Sequence, residues 1–257
     1  MHSGDVNYSV IGVGYANQRR PDPRIAARIH AALGDAKTIL NIGAGAGSYE
    51  PTDREVIAIE PSEAMRAQRP PHLVQAIDAC AEELPLADQS VDATMAILTV
   101  HQWKDRRRGL SELVRVTRGP IVIMTFAPGS ANYFWLRDYC PEVAAVESQR
   151  DPSIEAIAAD LAAPDRRIES QPVPVPIDCI DGFSEAFYAR PERFLDPATT
   201  RAQSTWAFIP DDVRERFFRT LRADLHSGAW DRKHGHYRTM PEFTGALRLI
   251  ISTPGHA

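Results

Sequence analysis

The stretch Thr38–Glu50, TILNIGAGAGSYE, constrains this chain more than any other segment. A short apolar run with the pattern of a buried strand breaks into three glycines spaced two apart, Gly43, Gly45 and Gly47. Glycine has no Cβ, so a turn built this way reaches positive φ and lets a ligand lie against bare backbone. Thirteen residues beyond Gly47, a second apolar run, Glu55–Ile59, ends in Glu60. Doubly wound α/β folds place a carboxylate there to accept hydrogen bonds from ribose hydroxyls. One adenosine-containing ligand accounts for both features.

The dinucleotide fingerprint G-x-G-x-x-G is met at Gly43 and Gly45 but has Ser48 in its third position, with Gly47 one residue early. The loop runs into Tyr49, Glu50 and Pro51, so any helix opening there is short. A pyrophosphate needs a well-formed helix N-terminus with exposed N–H groups, and Glu50 adds a negative charge. A ligand without phosphates fits better, and S-adenosylmethionine (SAM) meets that description.

The chain has 257 residues, enough for one sizeable α/β domain or one domain with a large insertion. Its 29 basic and 34 acidic residues leave a net charge of −5, which argues against nucleic acid as the partner. Arg106-Arg107-Arg108 reads as the solvated start of a surface helix. Cys80, Cys140 and Cys179 are widely spaced and form no C-x-x-C pair, which favours a reducing compartment. Residues 1–20 do not resemble a signal peptide, and no window approaches a membrane span. The expectation is a cytoplasmic protein; the oligomeric state is left open.

Apolar periodicity and capping residues set the order of elements. Asp22 and Pro23 open a helix that runs to Leu33 with Ile25, Ile29, Ala32 and Leu33 on one face. The glycine-loop strand and the Glu60 strand follow, then a short helix capped by Ser62 and stopped by Pro70 and Pro71. Strands are expected over His72–Ile77, Val91–Leu98 and Pro120–Ala127, with a helix over Asp105–Thr117 between the last two. Ile168–Ile177 reads as an edge strand because of its alternating prolines, Asp211–Leu225 as an amphipathic helix, and Leu247–Ser252 as a final strand. The order predicts a doubly wound, Rossmann-like, mostly parallel seven-stranded sheet covered by helices on both faces, with a helical insertion after the fifth strand. The expected divisions are a cofactor-covering segment 1–22, a core 23–128, an insertion 129–240 that carries one edge strand, and a final core strand and tail 241–257. Right-handed crossovers gather the loops after the strands at one sheet edge, where ligands bind.

Four segments in this order, LNIGAGAGSYEP, VIAIEPSEAM, CAEELPLADQSVDATMAILTVHQW and GLSELVRVTRGPIVIMTF, resemble the class I SAM-dependent methyltransferases. The likeness is to the methyltransferase type 11-like small-molecule group that includes ubiquinone/menaquinone-type enzymes. It covers Ile39–Phe126. The resemblance implies that Gly43 and Gly45 lie against the methionine part of SAM, that Glu60 takes the ribose hydroxyls, and that Cys80, Ala81 and Glu82 hold the adenine. It also places Leu98 beside the sulfonium or adenosine. Many relatives carry acids at the positions of Asn41 and Cys80. Asn41 still hydrogen-bonds and is expected to orient the loop; Ala81 N–H and Glu82 replace Cys80 as adenine partners. The N-terminal Tyr15-Ala16-Asn17-Gln18-Arg19-Arg20-Pro21 is similar to a segment that folds over the cofactor in relatives. There Arg20 would clamp the methionine carboxylate and Tyr15 would close the site; the alternative is a surface arginine beside a helix start.

SAM carries its methyl on a sulfonium, so transfer needs position more than acid–base help. His101, beyond the fourth strand, is the candidate base if the acceptor must lose a proton; otherwise it packs against Trp103 or lines the pocket. The Asn/Asp-Pro-Pro-Tyr motif of enzymes that methylate nucleic-acid amino groups is absent, which with the charge points to a small organic acceptor. Trp103, Tyr133 and Trp135 are expected to shape a hydrophobic acceptor site, with the core of the insertion as the alternative for any one ring. His226, His234 and His236 with Asp231 match no strong metal motif and are expected in a solvated loop without metal. The leading reading is a small-molecule methyltransferase that releases S-adenosylhomocysteine. Its alternatives are a non-catalytic SAM-binding or partner-binding module and a nicotinamide-dependent oxidoreductase.

Overall fold

The computed structural model describes residues 15–129, 134–163 and 165–255. Its strands are β1 (Thr38–Ile42), β2 (Glu55–Ile59), β3 (Ala93–Ile97), β4 (Ile121–Phe126), β5 (Arg166–Pro172), β6 (Val175–Pro176), β7 (Glu242–Phe243) and β8 (Leu247–Pro254). Six of them form the central sheet in the order β2-β1-β3-β4-β8-β5. The pairs β1/β2, β1/β3 and β3/β4 are parallel, and β8 runs antiparallel to both β4 and β5. The chain winds outward from β1 in one direction and from β3 in the other. A crevice therefore opens between the carboxyl ends of β1 and β3.

Successive strand residues point to opposite faces, and here both faces are buried. Ile39, Ala93, Met95, Val122 and Met124 pack with Ile25 and Ile29 of the helix Pro23–Ala32, with Leu33 that caps it, and with the aromatic interior of the later segments. Leu40, Ala96, Ile121, Ile123 and Ile250 pack on the other side. They meet Leu110, Leu113 and Val116 of the helix Arg106–Val116, and Ile157 and Leu161 of the helix Ile154–Leu161. Both central helices are capped as their sequences foretell: Asp22 accepts the Arg24 N–H and Asp105 accepts the Arg108 N–H, each at 3.0 Å.

Several expectations are revised. The central sheet has six strands, because His72–Ile77 makes one parallel bridge, Ile77 to Ile59, instead of a ladder. Val74 and Ile77 are exposed, so no burial recruits the segment to the edge of β2. The run expected over Ile168–Ile177 divides at Pro174, which lacks an N–H to donate. Its first half is the edge strand β5, and its second half, β6, pairs with β7 in a separate small sheet. Ser62 makes no side-chain cap; Glu60 takes its N–H instead. The histidine region is helical over Ala229–His234, with His234 buried against the aromatic interior, where desolvation lowers its pKa. Among the described residues, no helix is long and apolar enough to cross a membrane.

Candidate active site

The loop after β1 is held from below by polar side chains. Gly43, Gly45 and Gly47 take φ values of 63°, 52° and 94°, a region in which residues bearing a Cβ are strained. The loop turns straight back into β2 with no helix between them. Glu60, buried at the end of β2, accepts the Gly45 N–H on Oε2 at 2.8 Å and the Ser62 N–H on Oε1 at 2.7 Å. Burial raises its pKa, against the opposing effect of those two donors. Asn41 donates to Glu50 Oε1 at 2.9 Å, and Arg69 binds both Glu50 oxygens at 2.9 and 2.8 Å. The charge that Glu50 brings to the loop is thus matched by an arginine 19 residues away, a pairing that the spacing does not announce. Gly43 also makes room inside the protein: a Cβ there would overlap the Thr99 side chain beyond β3.

These elements border a cleft of about 1010 Å³, solvent at its mouth included. Tyr15, Asn41, Gly43, Gly45, Glu60, Cys80, Ala81, Glu82 and Leu98 all line it. Trp103 lines it too, on the side of Cys80–Glu82, where it fills the space left by the missing side chain of Gly109. Glu82 is also occupied by the backbone, accepting the Lys104 and Asp105 N–H groups at 2.8 and 3.2 Å. Leu98 sits at φ 54°, a strained conformation for a branched side chain, at the point where β3 delivers the chain to the crevice.

Arg20 is exposed and is not among the lining residues; Arg19 takes that place. Tyr15–Gln18 is a helical turn, so Tyr15 and Arg19 stand one turn apart on the same face. The Arg19 guanidinium donates to Tyr15 Oη at 3.2 Å and to Asp181 Oδ1 at 2.6 Å. Tyr49, from the glycine loop, donates to Asp181 Oδ2 at 2.8 Å. Three distant segments meet at one buried carboxylate. The i,i+4 spacing of Tyr15 and Arg19 was the available signal for Arg19; nothing in the spacing marks Asp181.

A second cavity, about 600 Å³ with its mouth included, adjoins the first. Tyr15, Arg19, Leu98 and Gln102 line both. His101 lines the second, together with Phe126, Phe183, Glu147, Asp151 and Glu185. Trp135 is not in either wall. It is 1 % exposed in the core, ringed by Phe134, Tyr139, Phe194 and Trp230, with its indole N–H donated to the Tyr188 carbonyl at 2.9 Å. Large rings from the later segments fill this interior in one cluster with the sheet residues Val122, Met124 and Leu249. Tyr133 lies outside the described residues.

A methyltransferase-domain family profile matches residues 40–120. A solved structure from Anabaena variabilis ATCC 29413, described as a methyltransferase from an antibiotic biosynthesis pathway, is 33% identical. The alignment covers 92% of this chain and 99% of that one, with a TM-score of 0.85. The chain belongs to the class I SAM-dependent methyltransferases. SAM is accordingly its cofactor. Phosphoethanolamine N-methyltransferase 2 of Haemonchus contortus, solved with S-adenosyl-L-methionine, shares the fold at 14% identity and TM-score 0.55, over 98% of this chain and 58% of that one. Geranyl diphosphate C-methyltransferase of Streptomyces coelicolor does so at 13% identity and TM-score 0.51, over 91% and 78%. No curated protein matches this methyltransferase in sequence.

Proposed function

We propose that the methyltransferase binds SAM in the first cleft and methylates a small organic acceptor seated in the second cavity. The shared wall of Tyr15, Arg19, Leu98 and Gln102 carries this reading, since a methyl donor on one side of it lies next to an acceptor on the other. The first cleft suits SAM better than a dinucleotide: no helix N-terminus follows the glycine loop to receive a pyrophosphate. Glu60 accepts one backbone N–H per oxygen, from Gly45 and Ser62, which leaves acceptor capacity for ribose hydroxyls. Gly43 and Gly45 flank the methionine part, Cys80, Ala81 and Glu82 border the adenine, and Trp103 walls that end. Arg19, in place of Arg20, stands at the methionine end with Tyr15.

Bound SAM supplies an electrophilic methyl on a sulfonium. The protein's part is to hold the acceptor nucleophile in line with it, an ordering worth up to ~7–11 kcal/mol in favourable models. The two cavities flank the reacting centre and so limit water there. His101 lines the second cavity, which supports it as the group that takes a proton from an acceptor that must lose one. A complex with S-adenosylhomocysteine tests the arrangement: the sulfur is expected at the Tyr15–Leu98 wall, facing the second cavity. A sulfur turned to open solvent would move a macromolecular acceptor ahead.

A further inference from the structure

The second cavity contains a carboxyl group that the protein leaves half satisfied. Glu185 lines it and is 1 % exposed. Its Oε1 accepts the Ala246 N–H at 2.7 Å, while Oε2 is buried without a hydrogen-bond partner among the described residues. The group is held in place closely, for a Cβ on Gly245 would overlap it. A buried carboxylate oxygen without a donor is costly, and such groups call for a functional explanation.

The surroundings indicate what the missing donor is. Glu147 and Asp151 bring two more carboxyls to the same cavity. Of the cations near it, Arg19 is bound by Asp181, Arg150 donates to the Ser204 and Thr205 hydroxyls of the cavity wall, and Arg248 donates to the Gly245 and Leu247 carbonyls. Phe126 and Phe183, with ring centroids 5.6 Å apart, give the cavity an apolar side. We propose that the acceptor is a partly apolar small amine whose N–H or ammonium group is received by Glu185. This rests on the reading of the second cavity as the acceptor's seat. Burial, reinforced by Glu147, holds the Glu185 pKa up at about 7 against the Ala246 and Leu247 N–H groups and the Arg248 charge, so an arriving ammonium meets a carboxyl ready to ionise against it.

The test is calorimetry on the full chain saturated with S-adenosylhomocysteine, with phenethylamine, 2-phenylethanol and phenylacetate as matched probes. Phenethylamine is expected to bind at least tenfold more tightly than either of the others. Glu185→Gln is expected to abolish that preference while leaving S-adenosylhomocysteine affinity unchanged. Equal binding of the three probes, no amine binding at millimolar concentration, or an intact preference in Glu185→Gln overturns the proposal. If the variant does not fold, the probe ranking in the unaltered protein still decides. Failure to bind S-adenosylhomocysteine would instead bring down the cofactor reading beneath it.

Discussion

Single carboxylates do opposite things in this molecule according to what surrounds them. Glu60 is buried but receives two backbone N–H groups, so it fastens the glycine loop as well as facing the cleft. Glu60→Gln keeps one acceptor oxygen and removes the charge. Hydrogen bonds to charged groups are worth ~1.5–3 kcal/mol, so SAM should bind roughly tenfold to a hundredfold more weakly. An unchanged dissociation constant by calorimetry would take Glu60 out of the ribose contact. Glu185 is buried with its Oε2 unpartnered among the described residues, and desolvation outweighs the Ala246 and Leu247 N–H groups to raise its pKa to about 7. Its sign is that of a raised carboxyl: below about pH 4.5 both folded and unfolded chains hold the proton. Between there and pH 7 only the folded one does, so this group's contribution makes stability fall as pH rises. Glu147 and Arg248 face the same carboxyl and shift the midpoint in opposite directions. Thermal melts from pH 4 to 8 should show Glu185→Gln gaining on the unaltered protein across that window; parallel curves would show that Glu185 does not titrate there.

At the level of elements, the glycine loop is fitted to its neighbours before it meets any ligand. Gly43 abuts Thr99, and its φ is positive. Gly43→Ala should therefore cost roughly 1–3 kcal/mol of folding stability through strain and overlap. Adding Thr99→Ala should return part of that loss, since the two positions touch and their effects are not additive. Denaturant melts of the single and double variants check this; simple additivity would mean that the strain lies in φ alone. The element order was largely readable from the sequence, because capping residues and apolar periodicity act locally: Asp22-Pro23 and Asp105 begin helices where they stand. His72–Ile77 was misread for the same local reason. Its composition suits a strand, but whether an edge ladder forms depends on what covers the segment, and Val74 and Ile77 remain exposed.

Taken as a whole, the molecule opens its larger cleft where the winding of the sheet reverses, with the polar fastenings of that region drawn from segments far apart in the chain. Ligand and fold should therefore be thermodynamically linked. S-adenosylhomocysteine at a hundred times its dissociation constant adds ~2.7 kcal/mol. In a chain of this size each 1 kcal/mol raises the melting temperature by ~2–4 °C. A rise of roughly 5–10 °C is expected in a thermal-shift assay, with none from NAD. Stabilisation by NAD and not by S-adenosylhomocysteine would reverse the cofactor assignment.

The glycine-loop end of the candidate site was legible because it is local. Positive-φ glycines and a carboxylate at a strand end are required by backbone geometry within a few residues of each other, and the chain displays them as Gly43, Gly45 and Glu60. The acceptor end was not. Arg19 in place of Arg20 follows from a helical turn that sets it on the face of Tyr15, and its partner Asp181 is 162 residues away. Trp135, a plausible pocket wall by its position after β4, went to the core because the later helices needed a large ring inside and its N–H found the Tyr188 carbonyl. Glu185 carries no sequence signal at all. Its meaning comes from an Oε2 without a hydrogen-bond partner among the described residues, and only the packing of distant segments decides which buried groups find partners.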